Sequence, residues 1–524
     1  MAVGRARAIA LLGLDGAIVD IEADIANGLP GFAIIGLPDA ALGQARDRVR
    51  AAAANSGCPL TPRKLTVNLS PASLPKHGSA FDLGIALAAL AADRVVDPRS
   101  VDEVVHIGEL GLDGGVRRTP GVLPAVVAAA RAGFSTVLVP AADAAEAALV
   151  PGIRVVPVES LAAAARWHGA SLPEAAPADA VDSDTPADGR APAPDARQGS
   201  EEHGAGGGHG DLADVVGDPA AVEALTVAAA GGHHLFLLGP PGAGKTMLAS
   251  RLPGILPDLD MDAALEVGSL RSLAGLGTRG LSRRPPWEAP HHTASAAAIV
   301  GGGSGLIRPG AAARAAHGVL FLDEAPEFSP HALDALRQPL EAGVISISRA
   351  AYSASFPARF QLVLAANPCP CGNAGTRDGD CTCTPFTRRR YLGRLSGPLL
   401  DRVDIRLRVE RVTAARLRTG GDTVSTADAR RRVETARARA AERLGSTPWR
   451  RAADVPGSWL RSPEGRPERG ATLTLDRALE RGAITMRGYD RVLRLAWTLA
   501  DLDGAPRPTS DHVGRGLLLR RAAP

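Results

Sequence analysis

Aromatic residues are scarce in this chain, making up only 3% of its 524 residues. This scarcity argues against a broad stacking platform for single-stranded nucleic acid, because such platforms are built from aromatic side chains. Long apolar runs are missing too. The apolar patch at residues 9–12 follows Arg5 and Arg7 but is too short to span a membrane, and no signal-peptide cleavage pattern follows it. We therefore expect a cytoplasmic protein that does not bind membranes.

Lysine and cysteine are also rare. Lys64, Lys76 and Lys245 are the only lysines, so almost every cation is an arginine. Only five cysteines occur, and Cys58 stands apart from the other four, which predicts a small buried apolar side chain at that position. A formal net charge of +3 is compatible with nucleic-acid contact but does not demonstrate it. The length and the 45% hydrophobic content predict several domains with substantial cores.

A glycine-rich turn stands between an apolar run at residues 235–238 and a predicted helix. Glycines let successive backbone N–H groups converge on an anionic oxygen, and the following helix adds its positive end. At this spacing Lys245 would reach the terminal phosphates and Thr246 would hold Mg²⁺. We therefore expect ATP to bind at a loop that consists of Gly239, Pro240, Pro241, Gly242, Ala243, Gly244, Lys245 and Thr246.

Two further apolar runs end in polar residues. Residues 318–324 predict a buried parallel strand that ends in Asp323 and Glu324. Asp323 would bind Mg²⁺ through water, and Glu324 would orient and polarise the attacking water. Residues 360–366 predict another strand, ending in Asn367, whose amide would contact the γ-phosphate or that water. These residues extend the predicted ATP site into a hydrolytic one.

A hairpin and a histidine pair lie near these strands. Residues 344–349 and 353–356 alternate apolar with polar residues around a short turn, which predicts a β-hairpin. His291 and His292 stand in a loop-rich segment. Because adjacent side chains on an extended chain point apart, we expect polar loop contacts from these histidines rather than metal binding.

Composition divides the chain into four parts. Residues 1–169 alternate short apolar strands with Ala-rich helices and predict an α/β domain. Residues 170–210 contain almost no large apolar side chain and predict a disordered linker. Residues 211–409 contain the predicted ATP site, and residues 410–524 predict an Arg-rich helical domain. The arginines at 430–432 and beyond would form a solvated surface or contact phosphates.

Four cysteines form two close pairs, Cys369 with Cys371 and Cys381 with Cys383. Nine residues separate the pairs, so four thiolates could surround one tetrahedral Zn²⁺ ion. Free thiols and disulfides remain alternatives, although a cytoplasmic setting disfavours disulfides.

Taken together, these motifs resemble the magnesium-chelatase-like AAA+ ATPases of the YifB/ComM family. The resemblance covers nearly the whole chain, and its most specific strings are residues 367–372 and 395–404. It implies an α/β AAA+ P-loop NTPase domain with a helical lid. It also implies that Arg402 is an arginine finger acting on a neighbour's nucleotide, and that Arg487 is the sensor 2 residue. A finger that acts between subunits requires a ring, for which the resemblance suggests a homo-hexamer.

The first domain resembles the Lon-protease-like (ribosomal S5 domain 2-like) domain that precedes the ATPase in this family. Residues 74–83 and 108–114 carry the resemblance. Where a working Lon domain has its serine nucleophile, this chain has Ala80 or Asp82, and Leu123 or a neighbour replaces the lysine. Ser79 is close but has no lysine partner in the second motif, so we expect no peptidase activity.

The resemblance also implies a function. It suggests an ATP-driven ring that acts on DNA as a helicase or branch-migration motor in homologous recombination or DNA uptake. A hairpin placed before Asn367 is similar to the channel hairpins of minichromosome-maintenance helicases, so Arg349 and Tyr352 near its tip are candidate DNA contacts. The alternatives are a magnesium-chelatase-like or protein-remodelling ATPase that acts on a partner protein, and a regulatory scaffold.

Overall fold

Two α/β units and a set of C-terminal helices make up the part of the chain that the structure describes. The predicted linker lies outside that part, except at its two ends. Arg349 and Tyr352 also lie outside it. The computed structural model describes residues 3–36, 40–74, 76, 78–173, 210–278, 280–303, 307–348, 353–375, 381–413 and 423–521.

The first unit is built on a seven-stranded mixed sheet with the order β3-β4-β2-β1-β5-β8-β9. Strands β6 and β7 form a separate small ladder. The strands are β1 (Gly4–Leu12), β2 (Asp15–Ala26), β3 (Gly31–Ile35), β4 (Lys64–Ser70), β5 (Val105–His106), β6 (Glu109–Leu110), β7 (Val116–Arg117), β8 (Thr136–Pro140) and β9 (Arg154–Val158). The helices are α1 (Ala40–Asn55), α2 (Asp82–Ala92), α3 (Pro98–Asp102), α4 (Val122–Arg131), α5 (Ala144–Ala147) and α6 (Leu161–Trp167).

Strand β1 was not predicted from the sequence. Its buried positions include the small residues Ala6, Ala8 and Ala10, which give a weak strand signal but allow α2 to pack closely. Its polar positions are paired across the ladder, where Arg5 contacts Glu22 at 3.2 Å. The strand is therefore stabilised by pairing and packing rather than by large apolar side chains.

The second unit is built on a five-stranded parallel sheet with the order β11-β14-β17-β10-β18. Its strands and those of two small hairpins are β10 (Leu235–Leu238), β11 (Trp287–Glu288), β12 (Gly301–Gly302), β13 (Arg308–Pro309), β14 (Val319–Leu322), β15 (Val344–Ser348), β16 (Ser353–Pro357), β17 (Gln361–Ala366) and β18 (Ile405–Arg408). The helices are α7 (Pro219–Gly231), α8 (Lys245–Ile255), α9 (Met261–Leu273), α10 (Ala296–Val300), α11 (Ala311–Arg314), α12 (Pro330–Asp334), α13 (Arg337–Ala342), α14 (Pro385–Leu392) and α15 (Gly397–Leu400).

The predicted elements of this unit occur, with two differences. The strand predicted over residues 318–324 ends at Leu322, so both carboxylates lie beyond the strand. The sequence favours one helix over residues 330–342, between the start signal Ser329-Pro330 and the stop at Gly343, but the structure has two helices, α12 and α13. Pro339 has no N–H to donate and its ring crowds the carbonyl four residues earlier, which explains the interruption at residues 335–336. The predicted hairpin is confirmed as β15 and β16, with Ile345 opposite Phe356.

Within the described residues from 423 to 521, five helices follow the second unit. Several arginines of the first helix bond within the chain: Arg432 contacts Glu223 at 3.1 Å, and the partly buried Arg437 donates to the carbonyl of Ala229 at 2.7 Å. Phosphate contact by the exposed arginines of that helix stays a prediction. The helices are α16 (Thr426–Arg443), α17 (Gly457–Leu460), α18 (Leu473–Glu480), α19 (Met486–Asp503) and α20 (Ser510–Arg521).

A buried carboxylate joins these helices to the parallel sheet. Asp404 precedes β18 and pairs with Arg491 of α19, while its Oδ2 atom accepts from the backbone N–H of His234, 3.2 Å away. Burial alone would raise the pKa of Asp404, but the charges of Arg491 and His233 hold it well below its ordinary value. The carboxylate therefore stays ionised and fixes α19 against the start of β10.

The two α/β units are in contact. Helix α4 packs on α9, where the backbone N–H of Leu123 donates to the hydroxyl of Ser272 at 3.3 Å. The turn between β1 and β2 lies against the hairpin, and a Cβ atom added at Gly13 would be 2.4 Å from the carbonyl oxygen of Ser355. In the described ranges, no helix combines the length and apolar character needed to cross a membrane.

Replacing Asp404 with Asn should destabilise the second unit, because Arg491 would keep a buried charge without its partner. We expect a loss of about 3–5 kcal/mol in the free energy of unfolding, measured by urea denaturation at pH 7. The carboxylate stabilises the fold fully above its unfolded pKa of about 3.9, and this contribution is lost as the pH falls through the lower folded pKa. The difference in unfolding free energy between the parent and Asp404→Asn should therefore become smaller in acid. Asp511→Asn, at an exposed position, is the matched control. Equal urea midpoints for the two variants would contradict the stabilising role of Asp404.

Candidate active site

Three neighbouring parallel strands bring the predicted site residues to one edge of the sheet. Strand β17 lies between β10 and β14, with Leu238 opposite Ala366 and Leu322 opposite Leu364. The residues that follow these strands therefore meet at their carboxyl ends, where open α/β sheets bind ligands. The phosphate loop follows β10, Asp323 follows β14 and Asn367 follows β17.

A cavity of about 310 Å³ opens at this edge. Its volume and its open side suit a ligand of nucleotide size. Most of the predicted phosphate loop lines it, together with both carboxylates of the β14 end and the amide of the β17 end. The lining residues are Pro241, Gly242, Ala243, Gly244, Lys245, Thr246, Met247, Asp323, Glu324, Ala366 and Asn367.

Lys245 is the buried cation of this cavity. Its Nζ atom donates to the carbonyl oxygens of Gly239 at 2.8 Å and Pro240 at 3.0 Å, and to Oδ1 of Asn367 at 3.0 Å. Burial lowers the pKa of Lys245, and the charges of Asp323 and Glu324 oppose that shift. The ammonium is thus held at the mouth of the loop by weak acceptors that an anionic oxygen would replace.

The loop has the backbone shape that an anion requires. Gly242 and Gly244 adopt φ angles of +74° and +85°, which residues with a side chain rarely adopt. Helix α8 begins at Lys245, so its first N–H groups point toward the cavity. Nothing lies within 4 Å of the Cβ position at Gly242, so the space above the loop is open for a phosphate.

An oxygen pair suited to Mg²⁺ lies beside the loop. The hydroxyl of Thr246 donates to Oδ2 of Asp323 at 2.6 Å, so both oxygens can face one cation. Hydroxyl and carboxylate oxygens, completed by water and phosphate, are the ligands that Mg²⁺ prefers. Glu324 follows with φ of +50°, and its backbone N–H donates to Oδ1 of Asp323 at 2.9 Å. That left-handed turn leaves the Glu324 carboxylate exposed at the cavity.

His292 is a site residue that the sequence analysis missed. Its Nδ1 atom is 3.2 Å from Oε2 of Glu324. The expectation that the two histidines point apart was wrong, because residues 291–294 form a turn, not an extended chain, and the His291 and His292 ring centroids are 4.1 Å apart. The sequence carried no signal for this contact, because it depends on the pairing of β11, which precedes the histidines, with β14.

The predicted residues Arg402 and Arg487 do not line the cavity. Arg402 follows α15, where it donates to the carbonyl of Pro398 at 2.6 Å and pairs with Glu341 of α13. Arg487 is exposed in the first turn of α19. Both roles stay predictions, since a finger would act on a neighbouring subunit rather than on its own.

Known proteins resemble this chain over nearly its whole length. The family profile "Magnesium chelatase, subunit ChlI" matches residues 211–417, and the related "Subunit ChlI of Mg-chelatase" and "Magnesium chelatase, subunit ChlI C-terminal" profiles match residues 21–143 and 423–520. The competence protein ComM of Haemophilus influenzae is 38% identical over 520 residues, 97% of this chain and 95% of ComM. YifB of Escherichia coli K12 is 37% identical over 521 residues, 98% of this chain and 96% of YifB. The chain belongs to the magnesium-chelatase-like YifB/ComM family.

This YifB/ComM chain has an α/β P-loop fold and belongs to a family related to AAA+ ATPases. An uncharacterized protein of Mycobacterium tuberculosis strain H37Rv is 50% identical to it over 523 residues, 99% of both chains. The likeness therefore extends over the front unit, the sheet of the candidate site and the C-terminal helices alike.

The four predicted metal ligands of this YifB/ComM chain also come together. The Sγ atoms of Cys369, Cys371, Cys381 and Cys383 all lie within 4.8 Å of one another. All four are free thiols, and the 3.3 Å between Cys369 and Cys371 far exceeds a disulfide bond length of about 2.05 Å. Cys58 is buried as predicted, and burial raises the pKa of its thiol.

Two substitutions should separate nucleotide binding from hydrolysis. Lys245→Ala should weaken binding of a fluorescent ATP analogue with Mg²⁺ by about 10- to 100-fold, because it removes a charge-assisted contact to phosphate worth about 1.5–3 kcal/mol. Glu324→Gln should bind the analogue normally but hydrolyse ATP at least about 100-fold more slowly, because it removes the base. Lys64→Ala, at an exposed lysine of β4, is the control. Unchanged binding in Lys245→Ala would contradict the site.

Proposed function

We propose that this chain is an ATP-hydrolysing ring motor that acts on DNA, of helicase or branch-migration type, in homologous recombination or DNA uptake. The observation that carries the ATPase part is the convergence of Lys245, Thr246, Asp323 and Glu324 on one cavity. The DNA part is supported by the likeness to a relative named as a competence protein and by the hairpin between β14 and β17.

In the proposed reaction, the N–H groups of the loop and the Lys245 ammonium bind the terminal phosphates. Mg²⁺, held by Thr246 and Asp323, would neutralise charge on the phosphate oxygens. Glu324 accepts the proton of the attacking water, and Asn367 donates from its amide to the same water or to the γ-phosphate. His292 contacts Glu324, so it helps to set where that carboxylate stands before the water is in place.

The proposed working unit is a homo-hexamer. Arg402 would leave Glu341 and contact the γ-phosphate bound by the neighbouring subunit, where a guanidinium stabilises the charge that spreads in phosphoryl transfer. Arg487, exposed at the start of α19, would reach the nucleotide as the helical lid closes. Residues 211–409 would then be the ATPase core and residues 410–524 the lid.

The front unit, residues 1–169, is proposed to be a Lon-protease-like scaffold without peptidase activity. Ser79 is hydrogen-bonded to the carboxylate of Glu109 rather than to a lysine. The ammonium of Lys76 is buried and donates to the carbonyl oxygens of Pro71 and Leu74, at 2.5 and 3.2 Å. Ser79 therefore lacks the lysine that activates the serine nucleophile of a working Lon domain. The scaffold would act in the cytoplasm.

A second candidate function is supported by the family profile. The profile that matches the site is named for a subunit of magnesium chelatase, so the same ATPase could remodel a partner protein instead of moving on DNA. The two functions share the nucleotide chemistry but differ in what stimulates it.

Branched DNA should distinguish the two functions. We expect a Holliday-type four-way junction to raise the ATPase rate several-fold and to be unwound or migrated by the full-length protein. Both effects should disappear in Lys245→Ala and in Glu324→Gln, while Lys64→Ala keeps them. A robust ATPase that ignores single-stranded, duplex and branched DNA would favour the protein-remodelling function.

Substitutions at the hairpin tip should weaken DNA binding without changing nucleotide binding. Arg349→Ala removes one candidate phosphate contact, so the slope of log K against log salt should decrease in magnitude by about 1. Tyr352→Ala should cost about 1–3 kcal/mol if the ring stacks on a base. Arg359→Ala, at an exposed arginine beyond the base of β16, is the matched control. If all three variants and the parent show equal salt slopes, the proposed DNA contact at the hairpin tip is contradicted.

A further inference from the structure

Four cysteine side chains meet beside the candidate active site, and no step proposed above uses them. Their Sγ atoms come from two cysteine pairs separated by nine residues in the sequence, and all lie within 4.8 Å of one another. Cys369 is buried, Cys371 is exposed, and Cys381 and Cys383 are partly buried. Such a cluster can shield a metal ion from solvent on one side and accept it from the other.

The sulfur positions suit one tetrahedral ion. The Sγ distances are 3.3 Å from Cys369 to Cys371, 3.6 Å from Cys369 to Cys381 and 3.5 Å from Cys371 to Cys381. Four sulfurs placed about 2.3 Å from Zn²⁺ would be about 3.8 Å apart, so a small expansion of the cluster creates a tetrahedral zinc site. Soft thiolates in tetrahedral geometry favour Zn²⁺ over Mg²⁺ or Ca²⁺.

Contacts around the sulfurs are those of a metal-binding turn. The backbone N–H of Ala374 donates to Sγ of Cys369 at 3.4 Å, a hydrogen bond of the kind that orients metal ligands. The guanidinium of Arg388 donates to the carbonyl of Cys383 at 3.1 Å, bringing a positive charge close to the second pair. Both groups offset the negative charge that four thiolates and one Zn²⁺ ion would carry.

The cluster touches the phosphate loop. Gly372, with φ of +79°, lies so close to Pro241 that an added Cβ atom would be 2.4 Å from Cδ of the proline ring. Cys369 follows two residues after Asn367, whose Oδ1 accepts from Lys245. The turn that carries the first cysteine pair is thus attached to the Asn367 end of β17 and packed on the loop that follows β10.

We propose that these four cysteines bind one structural Zn²⁺ ion, and that the metal-bound turn braces the phosphate loop and Asn367 in the geometry that receives nucleotide. Zinc bound to a short loop contributes its binding free energy to local folding, so metal loss would free the turn from Pro241 and from the Asn367 end of β17. The bracing part rests on the proposed nucleotide site, while the metal part does not.

Metal content tests the first part. Full-length protein purified without chelators should contain one zinc per chain by inductively coupled plasma mass spectrometry. Cys371→Ser and Cys381→Ser should each lose it, whereas Cys58→Ser, outside the cluster, and Cys381→His, which keeps a zinc ligand, should retain it. Cobalt added to zinc-free protein should give the absorption bands of a tetrahedral thiolate complex. Protein without zinc and without those bands overturns the proposal.

Nucleotide affinity tests the second part. Zinc-free Cys381→Ser should bind a fluorescent ATP analogue at least about fivefold more weakly than Cys58→Ser, in the range of typical coupling between sites. Removal of zinc from the parent protein by a thiol reagent and a chelator should weaken nucleotide binding equally. This second measurement tests the bracing role even if the Cys381→Ser variant fails to fold. Lys245→Ala should lose nucleotide but keep its zinc. Unchanged affinity after zinc removal overturns the bracing role, and a parent that binds zinc but no nucleotide refutes the proposed function alone.

Discussion

A buried ammonium beside an open cavity is the constraint on which the candidate site depends. Lys245 is largely removed from water, and only carbonyl oxygens and one amide accept its hydrogen bonds. Burying a cation costs free energy that neutral acceptors recover only in part, so the site favours an anion. The glycine turns, the start of α8 and the Asp323 carboxylate that would hold Mg²⁺ are all arranged around that charge.

The rest of the fold holds the groups of this site in their relative positions. Strand β17 separates β10 from β14, so Asn367 lies between the phosphate loop and Asp323. Asp404 then joins α19 to the start of β10 through one ion pair and one backbone hydrogen bond. The C-terminal helices are therefore attached directly to the strand that precedes the phosphate loop. The front unit is joined as well, because α4 packs on α9 and the β1–β2 turn lies on the hairpin.

Much of the site could be predicted because its chemistry is local in the sequence. The spacing of Gly239, Lys245 and Thr246 is readable within one short segment, and the two short apolar runs that end before Asp323 and Asn367 are typical of buried parallel strands. His292 could not be predicted, since its role depends on the pairing of β11 with β14. Strand β1 was missed because alanines signal burial only when a helix such as α2 is known to cover them. Nothing in the sequence of α16 indicates that Arg437 would donate a hydrogen bond to a carbonyl oxygen of α7.

The sequence by itself determined that the chain carries a phosphate-binding loop, two carboxylates after a buried strand and two close cysteine pairs, because short-range spacing restricts backbone and ligand chemistry directly. Only the tertiary structure decided which of these meet. The strand order brings the carboxylates and Asn367 to Lys245, and the packing of Gly372 on Pro241 places the cysteine cluster against the same loop. Such contacts join residues that are far apart in the chain, and their free energy comes from burial and pairing that no local pattern specifies.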